Sequence, residues 1–317
     1  MVSKILKSLI GVSPKEALSF SEGNTDAWQQ LEQSVLAAIE GYHATLEDHR
    51  LATLIPRLNA IDAELRGFAY EGAAMGLTGL DCVLPGSKYL QTFLDGAGSA
   101  HMYMVHIGIG EALARLRRKP ERVLPQLDPV LRWLVIDGYG FHEGFFASRR
   151  YIEGQAIPPH LSPYARRVFD QGLGRAIWFL HGADVDRVVT GIHAFPPARH
   201  ADLWSGIGVA CAYAGGLDDS AMARLRREAY PYTAQLAMGT AVVAKGRQRA
   251  GNPAAHSDLA CTILCGVSSD RAAAITDGAF QNLPVNRKTP AYDILQQRLI
   301  THFALPTSTY DQEEIMQ

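Results

Sequence analysis

The sequence predicts an all-α fold made of helical hairpins of about 34 residues, which stack into an α-solenoid or close into an α/α toroid. A repeat is the first observation behind this prediction: Pro129, Pro163, Pro197 and Pro231 each lie 34 residues after the preceding one. The second is that strand signals are nearly absent, with no sustained alternation of apolar and polar residues and no Asn-Gly or Asp-Gly turn between β-branched runs.

Glycines share this spacing. Two sets recur nine and eleven residues after the prolines: Gly138, Gly172 and Gly206, and Gly140, Gly174 and Gly208. Because prolines and glycines recur with the same 34-residue spacing, chance is a poor explanation, and the spacing indicates a repeated structural unit.

The elements of the unit follow from proline and capping rules. Proline suits the first turn of a helix and glycine suits its end, so we predict helices of four or five turns from Pro163 to Gly182, from Pro197 to Gly215 and from Pro231 to Gly246. Residues 184–195 and 218–230 open with acidic capping residues and are predicted to be return helices of the hairpins.

Looser copies extend the array in both directions. Gly108 and Gly110 lie in HMYMVHIGIGEALARL, and Gly72 and Gly76 lie in FAYEGAAMGLTGL. Downstream, NPAAHSDLACTILCG and TPAYDILQQRLITHFAL each carry an early proline. We expect a helical N-terminal cap over residues 1–60, a helical repeat domain over residues 61–307 and a loose tail over residues 308–317.

Composition limits the function. Lys and Arg number 30 against 32 Asp and Glu, a formal net charge of −2, without a basic block suited to a phosphate backbone, so no nucleic-acid partner is expected. The four cysteines fit neither a disulfide framework nor a Cys-x-x-Cys zinc pattern. The sequence has no apolar run of about 18 residues, and the first ten residues are too short for a signal peptide. We expect a cytoplasmic protein without a transmembrane segment, metal or cofactor.

Glycine inside a helix costs about 1 kcal/mol relative to alanine, so the repeated pairs need a compensating reason. One reason is close packing of neighbouring helices. The other is that glycine leaves room for a ligand along an inner wall. The sequence allows both.

The segment DGYGFHEGFF, residues 137–146, has the densest chemistry in the chain, with Asp137, His142 and Glu143 among aromatic residues. A carboxyl group in an aromatic, poorly solvated pocket has a raised pKa and can donate a proton near neutral pH. Aromatic faces can stabilise a carbocation that then develops. The same pairing of acid and aromatic residue recurs elsewhere in the array.

The candidate catalytic residues are four acids and two histidines that could tune an acid or accept a proton: Asp137, Glu143, Glu71, Asp170, His142 and His106. The candidate substrate-binding residues are aromatic: Tyr70, Tyr139, Phe141, Phe145, Phe169, Trp178, Trp204 and Tyr213. For each acid taken alone, the alternative is a salt bridge with a neighbouring arginine such as Arg199. For the histidines it is a structural or surface role.

Residues 65–216 resemble a bacterial family known as DUF1702, through LRGFAYEGAAMG, HMYMVHIGIG, LDPVLRWLVIDGYGFHEGFF, YARRVFDQGLGRAIWF and ADLWSGIGVACAYAGG. Many members are encoded in gene clusters for secondary metabolites, including enediyne polyketides. The resemblance implies a cytosolic biosynthetic protein acting on a hydrophobic, polyene-like molecule. The array is also distantly similar to the α/α-barrel terpene cyclases, although their Asp-x-Asp-Asp motif is absent here.

These observations lead to the hypothesis of a metal-independent, terpene-cyclase-like enzyme. It would protonate a hydrophobic polyene, isoprenoid or epoxide inside the array and guide cyclisation or isomerisation. The alternative is a non-catalytic helical scaffold or carrier in a polyketide pathway. The partners expected are a hydrophobic small-molecule substrate and either a second copy in a homodimer or a pathway enzyme.

Overall fold

The computed structural model describes residues 12, 13, 18, 25–84, 86–284 and 289–304. This part of the chain contains fourteen α-helices and no β-strand, so the predicted all-α class is confirmed. The helices are α1 (Asp26–Glu47), α2 (Leu51–Asn59), α3 (Ala63–Val83), α4 (Tyr89–Leu94), α5 (Met102–Arg115), α6 (Leu134–Phe146), α7 (Pro163–Leu180), α8 (Val185–His193), α9 (Pro197–Ala214), α10 (Asp219–Glu228), α11 (Thr233–Ala250), α12 (Ala255–Ala260), α13 (Ser269–Phe280) and α14 (Ala291–Ala304).

The helices predicted for two of the hairpins are present, α7 and α8 for one and α9 and α10 for the other. Helices α7 and α9 begin at the predicted prolines, whose missing N–H groups would be unpaired in a first turn in any case. Helices α8 and α10 begin after Asp184 and Asp218, whose carboxylates accept from the Arg187 and Ala221 backbone N–H groups. Local capping chemistry therefore sets the ends of these elements.

The flanking units depart from the pattern. Helix α6 begins five residues after Pro129, because the Asp128 carboxylate accepts hydrogen bonds from the Val130 and Leu131 N–H groups and a short 3₁₀ turn precedes the helix. Helix α11 begins two residues after Pro231 and continues past Gly246 to Ala250, with Gly251 as its C-cap. Gly251 has a φ of +63°, a left-handed conformation that ends the helix and that glycine adopts without a Cβ penalty.

The long helices α1, α3, α5, α6, α7, α9 and α11 pack against one another in chain order. Glycines lie at these contacts. A Cβ atom on Gly172 would overlap the Asp137 carbonyl of the preceding helix, and one on Gly174 would overlap the Leu203 carbonyl of the next helix. The equivalent glycines in α6 and α9 also lie against backbone carbonyls. The first glycine of each pair faces the preceding long helix, and the second faces the next one. The glycines therefore serve close helix packing, and the expectation that they leave room for a ligand is wrong at these positions.

Helix α1 packs on α3 in the same way, because Cβ atoms on Gly41 and Gly72 would overlap the Ala69 and Ala38 carbonyls. The predicted division at residue 60 stays a prediction, as does the choice between solenoid and toroid. The predicted tail over residues 308–317 lies outside the described residues.

Side chains also bridge distant helices of the stack. Arg247 of α11 donates a 3.3 Å hydrogen bond to the Glu64 carbonyl of α3. The rings of Phe68 on α3 and Tyr213 on α9 meet edge to face at 5.0 Å. Among the described helices, none is by itself long and apolar enough to cross a membrane; only the bent pair Ala255–Cys265 and Ser269–Phe280 passes that test together, by length and composition.

Candidate functional site

An apolar pocket lies between α1, α3, α5, α6 and α7. Its free volume is about 70 Å³. Five phenylalanine side chains contribute to its wall: Phe68, Phe141, Phe145, Phe146 and Phe179. The polar lining residues are Ser34, Glu71, Glu111 and Arg175. The pocket therefore places two carboxyl groups and one guanidinium against a largely hydrocarbon surface.

The phenylalanine rings contact one another. Phe141 and Phe145 stack with ring centroids 5.5 Å apart, and Phe141 meets Phe179 edge to face at 5.5 Å. Phe146 meets Phe145 edge to face at 5.0 Å. Phe141 and Phe146 are only partly buried, whereas Phe145 and Phe179 are buried.

Glu71 of α3 and Glu111 of α5 form a carboxyl pair. Their side chains are 3% and 8% exposed, and both line the apolar pocket, where each affects the ionisation of the other. Burial raises the pKa of Glu71, and burial together with the charge of Glu71 raises the pKa of Glu111 well above its ordinary value. Burial and the closeness of two carboxyl groups therefore favour a proton on this pair.

Arg175 of α7 lies beside this pair. Its Nη2 atom is 3.7 Å from Glu71 Oε1, and its Nη1 atom donates a 2.6 Å hydrogen bond to Asp137 Oδ1. The guanidinium also lies over the Phe141 ring, 4.6 Å from its centroid. Burial alone would lower the pKa of Arg175, but Asp137 and Glu71 raise it, so the guanidinium stays charged. Arg175 is one cation beside three carboxyl groups. If all three were ionised, two negative charges would remain without a counter-charge, so protons on Glu71 and Glu111 are favoured.

A chain of hydrogen bonds fixes Asp137 from behind. Gln171 Nε2 donates to Asp137 Oδ2 at 2.7 Å, and Gln296 Nε2 donates to Gln171 Oε1 at 2.8 Å. The Tyr164 hydroxyl then donates to Gln296 Oε1 at 3.0 Å. With both oxygens of Asp137 engaged, this carboxylate orients Arg175 and lies behind it, away from the pocket lining.

The structure thus brings together three residues that the sequence predicts for the site, Glu71, Phe141 and Phe145, with Asp137 behind them. Sequence reasoning missed Glu111. Its signal was present: Glu111 follows Gly110, just as Phe141 follows Gly140 and Arg175 follows Gly174. Extending that register to α5 would have found it.

The other predicted catalytic residues lie elsewhere. Asp170 pairs with Arg199, the salt bridge that the sequence allowed as the alternative. Glu143 lies near Tyr151 and Tyr139, which partly offset the rise in its pKa that burial causes. His106 Nδ1 lies 2.7 Å from the Met102 carbonyl oxygen, and His142 packs on Phe146 with ring centroids 4.7 Å apart. Of these four side chains, none lines the apolar pocket.

The remaining predicted aromatic residues also lie outside the lining. Trp178 Nε1 donates to the Gly215 carbonyl, Trp204 is fully buried, and the Tyr70 hydroxyl donates to Asn59 Oδ1. Tyr139 and Phe169 contact each other with ring centroids 6.3 Å apart. Tyr213 packs on Phe68 and lines a second, more polar pocket.

The raised pKa values predict a pH dependence of stability. Both glutamates have folded-state pKa values above the ordinary 4.5. Between 4.5 and the raised values the folded chain binds more protons than the unfolded chain, so the free energy of unfolding falls as pH rises through that window. Glu111→Gln keeps a neutral side chain of similar size and is expected to remove part of this fall. Urea unfolding from about pH 5 to about pH 8 measures it; equal slopes for both proteins would contradict the buried-pair assignment.

Comparisons with known proteins give one match. The family described as "Protein of unknown function (DUF1702)" matches residues 3–303 of the chain. No curated protein and no solved structure shows significant similarity to it. In the part of the chain that the structure describes, no three His, Cys, Asp or Glu side chains lie together as a metal ion would require.

Proposed function

The chain belongs to the DUF1702 family, and we propose that it is an acid catalyst that protonates a hydrophobic, alkene-bearing chain and thereby isomerises or cyclises it. The observation that supports this proposal is the buried Glu71–Glu111 pair, with raised pKa values, in the wall of a pocket lined by phenylalanine. A buried acid that keeps its proton at neutral pH is the group that such a step needs.

Glu111 is the proton donor in this mechanism, since its pKa is raised further and Glu71 is the partner that faces Arg175. The Glu111 O–H bond breaks and leaves its electron pair on oxygen. The alkene π pair forms a C–H bond with the proton, and the neighbouring carbon becomes cationic. The phenylalanine faces stabilise this cation, while Arg175 stabilises the carboxylate left on Glu111.

The second half of the reaction restores the acid. The carboxylate removes a proton from a different carbon, whose C–H electron pair forms the new double bond. Atoms and charge balance, and the product is an isomer of the substrate. If a second alkene of the same chain attacks the cation first, the product is a ring.

The size of the pocket favours isomerisation. Its free volume of about 70 Å³ is smaller than the roughly 150 Å³ cavity that holds benzene in another protein. The pocket therefore suits the end of an extended chain rather than a chain folded into several rings.

Deuterium uptake from solvent tests the proposal. The full chain is incubated with farnesol, geranylgeraniol or a linear polyene in D₂O, and each recovered lipid is analysed by mass spectrometry and NMR. We expect deuterium at an alkene carbon together with a shifted double bond or a new ring. Glu111→Gln and Glu71→Gln are expected to lower the rate by about 100-fold or more, the usual effect of losing a general acid.

Asp170→Asn is the matched control, because Asp170 is also a buried carboxylate but pairs with Arg199 outside the pocket. It should leave deuterium uptake within a few fold of the unsubstituted chain. If a probe binds but none acquires deuterium, or if Glu111→Gln and Asp170→Asn lose equal activity, the acid-catalyst proposal is wrong. Binding without deuterium uptake would favour the non-catalytic carrier.

A further inference from the structure

A second pocket adjoins the apolar one. It is lined by polar side chains, among them Gln30, Asp62, Glu64 and His256, and has a volume of about 520 Å³. Ser34 lines both pockets. Phe68 of the apolar pocket meets Tyr213 of the polar pocket at 5.0 Å. Ser34 and the Phe68–Tyr213 contact therefore lie at the boundary between the apolar pocket and the polar one.

We propose that the two pockets form one site for an amphiphilic molecule with an uncharged, hydroxyl-type end. The hydrocarbon chain occupies the apolar pocket beside Glu71 and Glu111, and the hydroxyl lies in the polar pocket. This inference rests on the proposed function only in placing the hydrocarbon chain of the ligand in the apolar pocket. It names the substrate class: a long-chain alcohol rather than its phosphate or diphosphate ester.

Charge is the first argument. The carboxyl and imidazole side chains that line the polar pocket are Asp62, Glu64 and His256. Burial and the neighbouring Arg247 lower the pKa of His256, so it is neutral at pH 7. Arg247 is the cation behind this wall, and its guanidinium donates to the Glu64, Asn252 and Tyr213 carbonyls. Two carboxylates therefore face a ligand end directly, which disfavours a phosphate there.

Hydrogen bonding is the second argument. His256 Nε2 lies 3.0 Å from the Tyr213 carbonyl oxygen and 3.2 Å from Arg247 Nη2, and His256 Nδ1 lies 3.3 Å from Gln30 Nε2. The Gln30 amide is therefore a polar group on this wall of the pocket. The Ser34 hydroxyl donates to the Gln30 carbonyl at 3.3 Å and keeps its own lone pairs for a donor. An alcohol O–H supplies that donor, whereas a dianionic phosphate does not.

The cation of the apolar pocket does not reverse this preference. Arg175 already lies between Asp137 and Glu71 and is 4% exposed. A phosphate there would displace these carboxylates and would itself be removed from water, which costs several kcal/mol. Both pockets therefore favour a neutral ligand.

Affinity for two probes tests this inference without turnover. Dissociation constants of farnesol and farnesyl diphosphate are measured by isothermal titration calorimetry with the full chain. We expect farnesol to bind about tenfold or more tightly than the diphosphate. Glu64→Lys, at an exposed position of the polar pocket, should strengthen diphosphate binding by about threefold or more, the range of an exposed ion pair, and leave farnesol binding unchanged.

Glu40→Lys is the control. It makes the same charge change at an exposed position of α1 that lines a different surface pocket. Tighter binding of the diphosphate than of farnesol, or equal effects of the two substitutions, would overturn the inference. The two proposals fail separately: bound farnesol without deuterium uptake contradicts acid catalysis alone, and deuterium uptake into farnesyl diphosphate in preference to farnesol contradicts the ligand class alone.

Discussion

Replacing Gly172 by alanine is expected to lower the free energy of unfolding by about 3 kcal/mol or more, one of the two largest losses that we expect from a single substitution in this chain. The new Cβ atom would overlap the Asp137 carbonyl and lie 2.6 Å from the Phe141 backbone nitrogen. Both are main-chain atoms of a packed helix, so α6 and α7 must move apart to admit the methyl group. Urea or thermal unfolding measures the loss.

Gly278→Ala is the matched control, because Gly278 lies inside α13 with no atom within 4 Å of a Cβ position. There alanine gains about 1 kcal/mol of helix propensity and should stabilise the chain. The two substitutions add the same methyl group inside a helix and are expected to have opposite signs. If Gly172→Ala stabilised the protein as Gly278→Ala does, the close packing of α6 on α7 would be contradicted.

These glycines show what the sequence could predict of the fold and what it could not. Proline at the first turn and aspartate at the cap act on neighbouring residues, so the starts of α7, α8, α9 and α10 follow from local chemistry. The direction that each glycine faces depends on which helix packs beside it. The repeat spacing would be the same whether the glycines faced a neighbouring helix or a ligand. Only the three-dimensional packing shows that they face backbone carbonyls.

The candidate site divides in the same way. Glu71, Phe141 and Phe145 were predicted from acids set among aromatic residues, and all three line the pocket. Asp170 has the same local pattern, yet it pairs with Arg199, 29 residues away, because α7 and α9 are neighbours. Sequence proximity alone cannot tell an acid that meets an arginine from one that meets another acid.

Replacing Arg175 by methionine is expected to cost about 3–5 kcal/mol, the range measured when one partner of a buried ion pair is removed. Asp137 is 0% exposed and Glu71 is 3% exposed. Without the guanidinium, the Asp137 carboxylate keeps the Gln171 hydrogen bond but loses its counter-charge in a site that water does not reach. Methionine retains much of the packing on Phe141, so most of the expected loss of stability comes from removing the positive charge rather than from lost side-chain volume. Chemical unfolding at neutral pH measures it.

The control is Arg167→Met, which removes an arginine from Asp202 and Asp293 at 3.2 and 3.1 Å. Arg167 is 42% exposed, so water replaces the lost partner and the expected cost is at most about 1 kcal/mol. Adding Asp137→Asn to Arg175→Met should recover more than half of the loss, because it removes the uncompensated charge. If the double variant were no more stable than Arg175→Met, Arg175 would stabilise the fold through packing rather than as the counter-ion of the buried carboxylates, and the requirement for a proton on the Glu71–Glu111 pair would lose its electrostatic basis.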